Sequence, residues 1–248
     1  MNSIKKMMLS GALGCLISGM AYADGSSPQP VKPYWQDIQV VAVNKEKPRS
    51  SFMSYADRET ALTSRFEKSP YYSLFNGTWK FFFVDSYKDL PQNITDPSVN
   101  TSSWDDITVP GNWEVQGHGV AIYTNHGYEF KPRNPQPPLL PEANPVGVYR
   151  RDIEIPASWD NRDIYLHIGG AKSGLYVYLN GKEVGYSEDS KNPAEFLINK
   201  YLQPGKNVLT LKIFRWSTGS YLECQDFWRM SGIERDVFLW SQPKASIQ

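Results

Sequence analysis

Short stretches of this chain alternate apolar with polar residues, and most of them end at glycine, proline, asparagine or aspartate. The clearest are residues 78–84, 148–155, 164–168, 175–179, 208–214 and 237–240. A period of two puts successive side chains on opposite faces, as in a strand with one buried and one wet face. Asn180-Gly181 stands between residues 175–179 and Val184-Gly185-Tyr186. Both residues tolerate positive φ, so the pair predicts a tight hairpin. No stretch holds a 3.6-residue apolar period for three turns. Many short strands without helices predict an all-β, antiparallel two-sheet sandwich and exclude a barrel of alternating strands and helices.

Three segments break this pattern. Residues 24–33 are polar and proline-rich, an extended leader with no fold of its own. Residues 34–62 lack a clear period and read as an arm laid across a surface, so that 24–62 precede a domain expected at 63–241. Residues 124–145 form a long loop braced by prolines, of the length that usually serves a function.

The first residues read as an export signal. Lys5 and Lys6 are followed by an apolar run from Met7 to Met20 and a small-x-small site at Ala21-Tyr22-Ala23, which places residues 1–23 in a cleaved signal peptide. The run is shorter than the roughly twenty residues that span a bilayer. Cys15 lies within it in a poor lipobox context, so removal of the signal leaves Cys224 as the remaining cysteine and no internal disulfide. The expected location is periplasmic or extracellular, without a membrane span.

Formal charge is zero and the 26 Lys and Arg form no basic stripe, which argues against a nucleic-acid partner. Aromatic residues make up 14% of the chain, including eight Trp and fifteen Tyr. Their flat faces and polar tips suit surfaces that grip sugars, although strands favour aromatics as well.

Chemistry concentrates between Arg215 and Arg235, where Trp216, Tyr221, Glu223, Asp226, Trp228 and Arg229 crowd among small turn residues. An ionised Asp226 accepts hydrogen bonds from paired hydroxyls and is a hard oxygen ligand for an alkali ion; it also has Arg229 and Arg235 nearby in sequence as ion-pair partners. Asn125 is able both to donate and to accept, or to cap the loop that follows it. Trp216, Tyr221 and Trp228 stack on a sugar face or pack in the core. His118, His126 and His167 have no companions at metal-ligand spacing, and no zinc site is expected.

Six motifs occur in a telling order: Val109-Pro110-Gly111-Asn112-Trp113, Ile122-Tyr123-Thr124-Asn125, Asn144-Pro145-Val146-Gly147-Val148-Tyr149, residues 180–190, Pro193-Ala194-Glu195-Phe196 and residues 215–236. Together they resemble the N-terminal sugar-binding jelly-roll domain of glycoside hydrolase family 2, nearest to the large bacterial β-galactosidases. The resemblance implies that Asp226 and Asn125 bind galactosyl hydroxyls from loops pushed into a neighbouring domain's active site. It further implies that Asp226 ligates sodium, and that the full-length enzyme uses magnesium.

In the resembled enzymes both catalytic glutamates belong to a later barrel, and neither Glu188 nor Glu223 matches them. No catalytic residue is therefore expected here. With 242–248 read as the start of a linker, the chain is expected to be an inactive fragment whose partners are β-galactoside sugars, the missing C-terminal domains and, at full length, further copies of itself. A stand-alone carbohydrate-binding protein and the same domain of a β-glucuronidase or β-mannosidase are the alternatives. A carboxylate-bearing sugar would be repelled by Asp226. The glycosylation sequons at Asn76, Asn93 and Asn100 read as chance in a bacterial chain.

Overall fold

A computed structural model describes residues 32–130 and 133–246; the signal and most of the leader read from the sequence lie outside them. A seven-stranded sheet runs in the order Ala42–Val43, Lys182–Ser187, Gly174–Leu179, Lys206–Phe214, Val146–Glu154, Gly77–Val84 and Asp105–Val109. A four-stranded sheet has the order Ala194–Leu197, Arg162–Ile168, Val237–Pro243 and Tyr72–Leu74. Every neighbouring pair in both sheets is antiparallel. The α-helix among the described residues is the five-residue Arg58–Leu62, capped where the Asp57 carboxylate accepts from the Thr60 amide at 2.8 Å. The chain is all-β, as its patterning predicts.

One apolar core joins the two sheets. Trp79, Phe81, Tyr149, Val177, Leu209 and Leu211 from the larger sheet meet Leu166, Ile168, Phe196, Val237 and Leu239 from the smaller. The larger sheet is covered on its other face too: Trp35, Ile94 and Trp104 pack over Val146, Val148, Tyr176, Tyr186 and Phe214. Burial on both faces explains why the first five residues of Val146–Glu154 are all buried and do not alternate. Asn180 and Gly181 both take positive φ, as the hairpin requires.

The arm is built into the sandwich. Ala42 and Val43 pair with Ser187 and Tyr186 at the edge of the larger sheet. Beyond them the Glu46 amide donates to the Glu195 carbonyl at 2.8 Å, so the chain crosses to the edge of the smaller sheet. Arg49 fixes the crossing: its Nε and Nη2 reach the two Glu195 oxygens at 2.9 and 2.8 Å, and its guanidinium lies 4.4 Å from the Phe52 ring centre and 4.3 Å from that of Trp240. Phe52, Met53, Tyr55 and Phe66 then cover Tyr165, Phe238 and Trp240 on the outside of the smaller sheet. At the other end, Val237–Pro243 runs two residues past the expected domain limit, with Gln242 buried.

Candidate functional site

Away from the main sheets, Ile122–Thr124 and Phe227–Arg229 pair as a two-stranded ribbon, with Tyr123 opposite Trp228. Isoleucine, tyrosine, phenylalanine and tryptophan favour this extended backbone. Their alternation gives the ribbon two unlike faces. Tyr123 and Trp228 remain 55% and 53% exposed, with ring centres 5.7 Å apart, while Arg229 on the opposite face is buried. Thr124 opposes Phe227, so Asn125 and Asp226 leave the same end of the ladder.

That end carries the exposed polar groups expected from the sequence. The Tyr123 hydroxyl donates to Asp226 Oδ1 at 2.7 Å, and hydrogen bonding to the carboxylate pushes the phenol pKa up. Neither Arg229 nor Arg235 pairs with Asp226. Arg229 turns inward to the carbonyls of Glu223 and Thr124, and Arg235 donates to the carbonyl of Lys191. Asn125 Oδ1 lies 2.7 Å from His126 Nδ1. Asp226 therefore keeps Oδ2 without a hydrogen-bond partner among the described residues, beside two half-exposed aromatic rings. An open carboxylate next to apolar ring faces is the chemistry of a polyhydroxylated ligand.

The long loop after the ribbon is pinned from behind. Trp216 Nε1 donates to Glu129 at 3.0 Å, and Phe130 packs on Trp216 and Tyr221 with centres 5.6 and 5.1 Å apart. Tyr128 meets Tyr221 edge-on, and the Tyr221 hydroxyl donates to the Leu139 carbonyl. Asn144 exchanges two hydrogen bonds with the Trp216 backbone. Trp216 and Tyr221 thus support the loop, whereas Trp228 faces outward.

The remaining carboxylates are structural. Glu188 accepts from Tyr186, Thr218 and the Gly219 amide; burial raises its pKa and those hydrogen bonds oppose the rise. Glu223 accepts from the Ser190 amide and hydroxyl at 2.7 and 2.6 Å. Lys172 lies buried beside them, its ammonium shifted down by burial against the pull of Glu129 and Glu223. His118 packs on Phe81 and Phe83, and His167 lies 2.8 Å from Glu195. Cys224 is free. Among the described residues no three His, Cys, Asp or Glu side chains gather to hold a metal. No helix there is long and apolar enough to cross a membrane.

Sequence reasoning did not find Tyr123 as the Asp226 partner, Glu129 as the loop's anchor, or the inward role of Arg229. Each depends on pairing residues from distant parts of the chain, which no local spacing reveals.

Residues 72–243 match the sugar binding domain of glycosyl hydrolases family 2. This chain belongs to that family. It is 40% identical over 218 residues to a β-galactosidase of Priestia megaterium, covering 87% of this chain and 21% of that protein. A β-galactosidase of Psychromonas ingrahamii is 38% identical over 214 residues, with 86% and 20% covered. Among solved structures, β-glucuronidase 2 of Bacteroides uniformis, covalently bound to cyclophellitol-6-carboxylate aziridine, superposes with a TM-score of 0.53. It is 25% identical and aligns over 69% of this chain and 18% of that one. The chain spans about a fifth of the length of the β-galactosidases it resembles.

Proposed function

We propose that the chain is the N-terminal sugar-binding portion of an exported β-galactosidase that hydrolyses terminal non-reducing β-D-galactose residues. Asn125 and Asp226 contact the galactosyl hydroxyls, and Asp226 is one ligand of a sodium ion. The two glutamates of retaining hydrolysis come from another part of the same enzyme, which also holds magnesium. The observation that carries this reading is the exposed Asp226 at the ribbon end, whose Oδ2 has no hydrogen-bond partner among the described residues and which stands beside Tyr123 and Trp228. Identities of 38–40% to β-galactosidases support the galactoside over a glucuronide. So does charge, because an ionised Asp226 repels a sugar carboxylate.

Two measurements test it on the 248-residue chain. A nitrophenyl galactoside should not be turned over, and calorimetry with lactose should give weak binding that Asp226→Ala abolishes, since a few hydrogen bonds barely offset the loss of free motion on association. Turnover that persists in Asp226→Ala through further purification overturns the reading. Tight, saturable lactose binding by the chain alone makes it a stand-alone carbohydrate-binding protein instead.

A further inference from the structure

Beneath the ribbon, five buried side chains hold polar atoms that make no well-formed hydrogen bond: Trp113 Nε1, Glu114 Oε1, Tyr149 OH, Arg215 Nε and Ser231 Oγ, the Ser231 hydroxyl lying beside the Glu114 carboxylate and the Tyr149 hydroxyl beside the Ile233 amide. Buried polar atoms in folded proteins nearly always find partners, so five in one neighbourhood require a cause. They are neighbours. Glu114 Oε2 accepts from the Ser231 amide at 2.8 Å, and the Trp113 amide donates to the Ser231 carbonyl at 3.1 Å. Tyr149 joins them, since a Cβ on Gly232 would stand 2.9 Å from its hydroxyl and 3.3 Å from the Trp113 amide nitrogen. Gly119 lies over Trp113 Nε1 and Arg215 Nη1, since a Cβ there would stand 3.7 and 3.6 Å from them.

The central pair is Glu114 and Arg215, with side chains 0% and 4% exposed and Oε1 to Nη1 at 3.7 Å. That separation is too long for a hydrogen bond and too short for a water to stand between the two atoms, so a bridging water would sit beside the pair and bond to both. The missing partner must donate to the Glu114 carboxylate and accept from Trp113 and Arg215. A metal cation is repelled by the guanidinium and accepts nothing; an anion is repelled by the carboxylate. A neutral molecule that does both is water, which in protein interiors makes about three hydrogen bonds.

The pair is wired to the ribbon. Arg215 Nη2 donates to the carbonyls of Val120, at 2.8 Å, and Arg229, at 3.2 Å, one flanking and one within the two ribbon strands. Arg229 in turn reaches the carbonyl of Thr124, the residue before Asn125.

We propose that Trp113, Glu114, Tyr149, Arg215 and Ser231 enclose an internal water site, and that this hydrated pair holds the ribbon in register, making Glu114 a positioning residue for Asn125 and Asp226. Its bearing on sugar contact rests on the proposed function. The water and the register do not, and neither test below uses a sugar, so the two can fail separately.

A crystal structure of this chain that orders internal solvent should show water bonded to Glu114 Oε1 and to at least one other of the five atoms. A dry site with Glu114 and Arg215 in direct hydrogen-bonded contact overturns the water site. Hydrogen exchange tests the positioning role: Glu114→Leu should speed exchange of the Ile122–Thr124 and Phe227–Arg229 amides about tenfold, with the ladder between Val146–Glu154 and Lys206–Phe214 unchanged. Glu114→Gln, which keeps the hydrogen bonds, should restore protection. Ribbon exchange that is unaltered in Glu114→Leu overturns the role. If that variant does not fold, Arg215→Lys replaces it, with the same acceleration expected and the same negative result decisive.

Discussion

Tyr123 and Asp226 are 103 residues apart in sequence, and a 2.7 Å hydrogen bond from phenol to carboxylate joins them at the open end of the ribbon. The bond fixes one carboxylate oxygen and leaves the other without a partner among the described residues. Asp226→Ala should leave the stability of this chain within about 0.5 kcal/mol, because both groups are exposed. Under the proposed function, the same substitution in a full-length enzyme carrying this domain should lower kcat/KM for a galactoside by roughly tenfold to a hundredfold, the range for loss of a hydrogen bond to a charged group. Tyr123→Phe should give a smaller drop in the same direction. Urea denaturation and steady-state kinetics on the same variants separate the two effects.

Arg49 ties the arm to the smaller sheet through both Glu195 oxygens and two aromatic faces. Arg49→Ala should destabilise the chain by about 1–3 kcal/mol, since it removes two hydrogen bonds from a nearly buried carboxylate that keeps only His167 and Trp240. Limited proteolysis should then cut near Lys45 and Lys47 faster than in the parent chain.

Acid should loosen the same junction. Burial works to raise the Glu195 carboxyl, but hydrogen bonds and charges from His167 and Arg49 outweigh it and hold the group below its ordinary value of 4.5. A carboxyl lowered on folding contributes stability above its unfolded pKa and loses it as pH falls through the folded value. Stability should therefore fall as pH drops below 4.5, and Glu195→Gln should flatten that part of the profile. Urea midpoints across this range, with and without the substitution, give the measurement.

Gly185 reports on the arm from the other sheet. A Cβ there would stand 2.3 Å from the Val43 carbonyl oxygen and 2.8 Å from the Phe196 ring. Gly185→Ala should cost about 1–3 kcal/mol through overpacking. It should also release the arm from this edge, which hydrogen exchange would detect at the Glu188 amide, now donating to the Val41 carbonyl at 2.9 Å.

The longer strands and the Asn180-Gly181 hairpin were legible because alternation and turn chemistry are local signals. Asp105–Val109, Tyr72–Leu74 and Ala194–Leu197 were not, being short and patterned weakly against loops. The arm was legible as an arm, but where it docks was not. Its residues form no periodic element, and Trp35, Ala42 and Arg49 make sense only against Phe214, Ser187 and Glu195, all more than 140 residues away. At the site, Asp226 and Asn125 could be picked out by type and motif, whereas the Tyr123 bond and the inward turn of Arg229 required the ribbon to be seen.

The two-residue strand Ala42–Val43 also ends the larger sheet on one side. Without it, the six-residue Lys182–Ser187 would present its outer row of amides and carbonyls to solvent, an open template for strands from other molecules. A very short strand offers little backbone to pair with, and the chain leaves the sheet at once, at Asn44 with its positive φ. Truncations that remove residues 32–43 should therefore fail first by self-association, seen as concentration-dependent aggregation of a chain whose core is still folded.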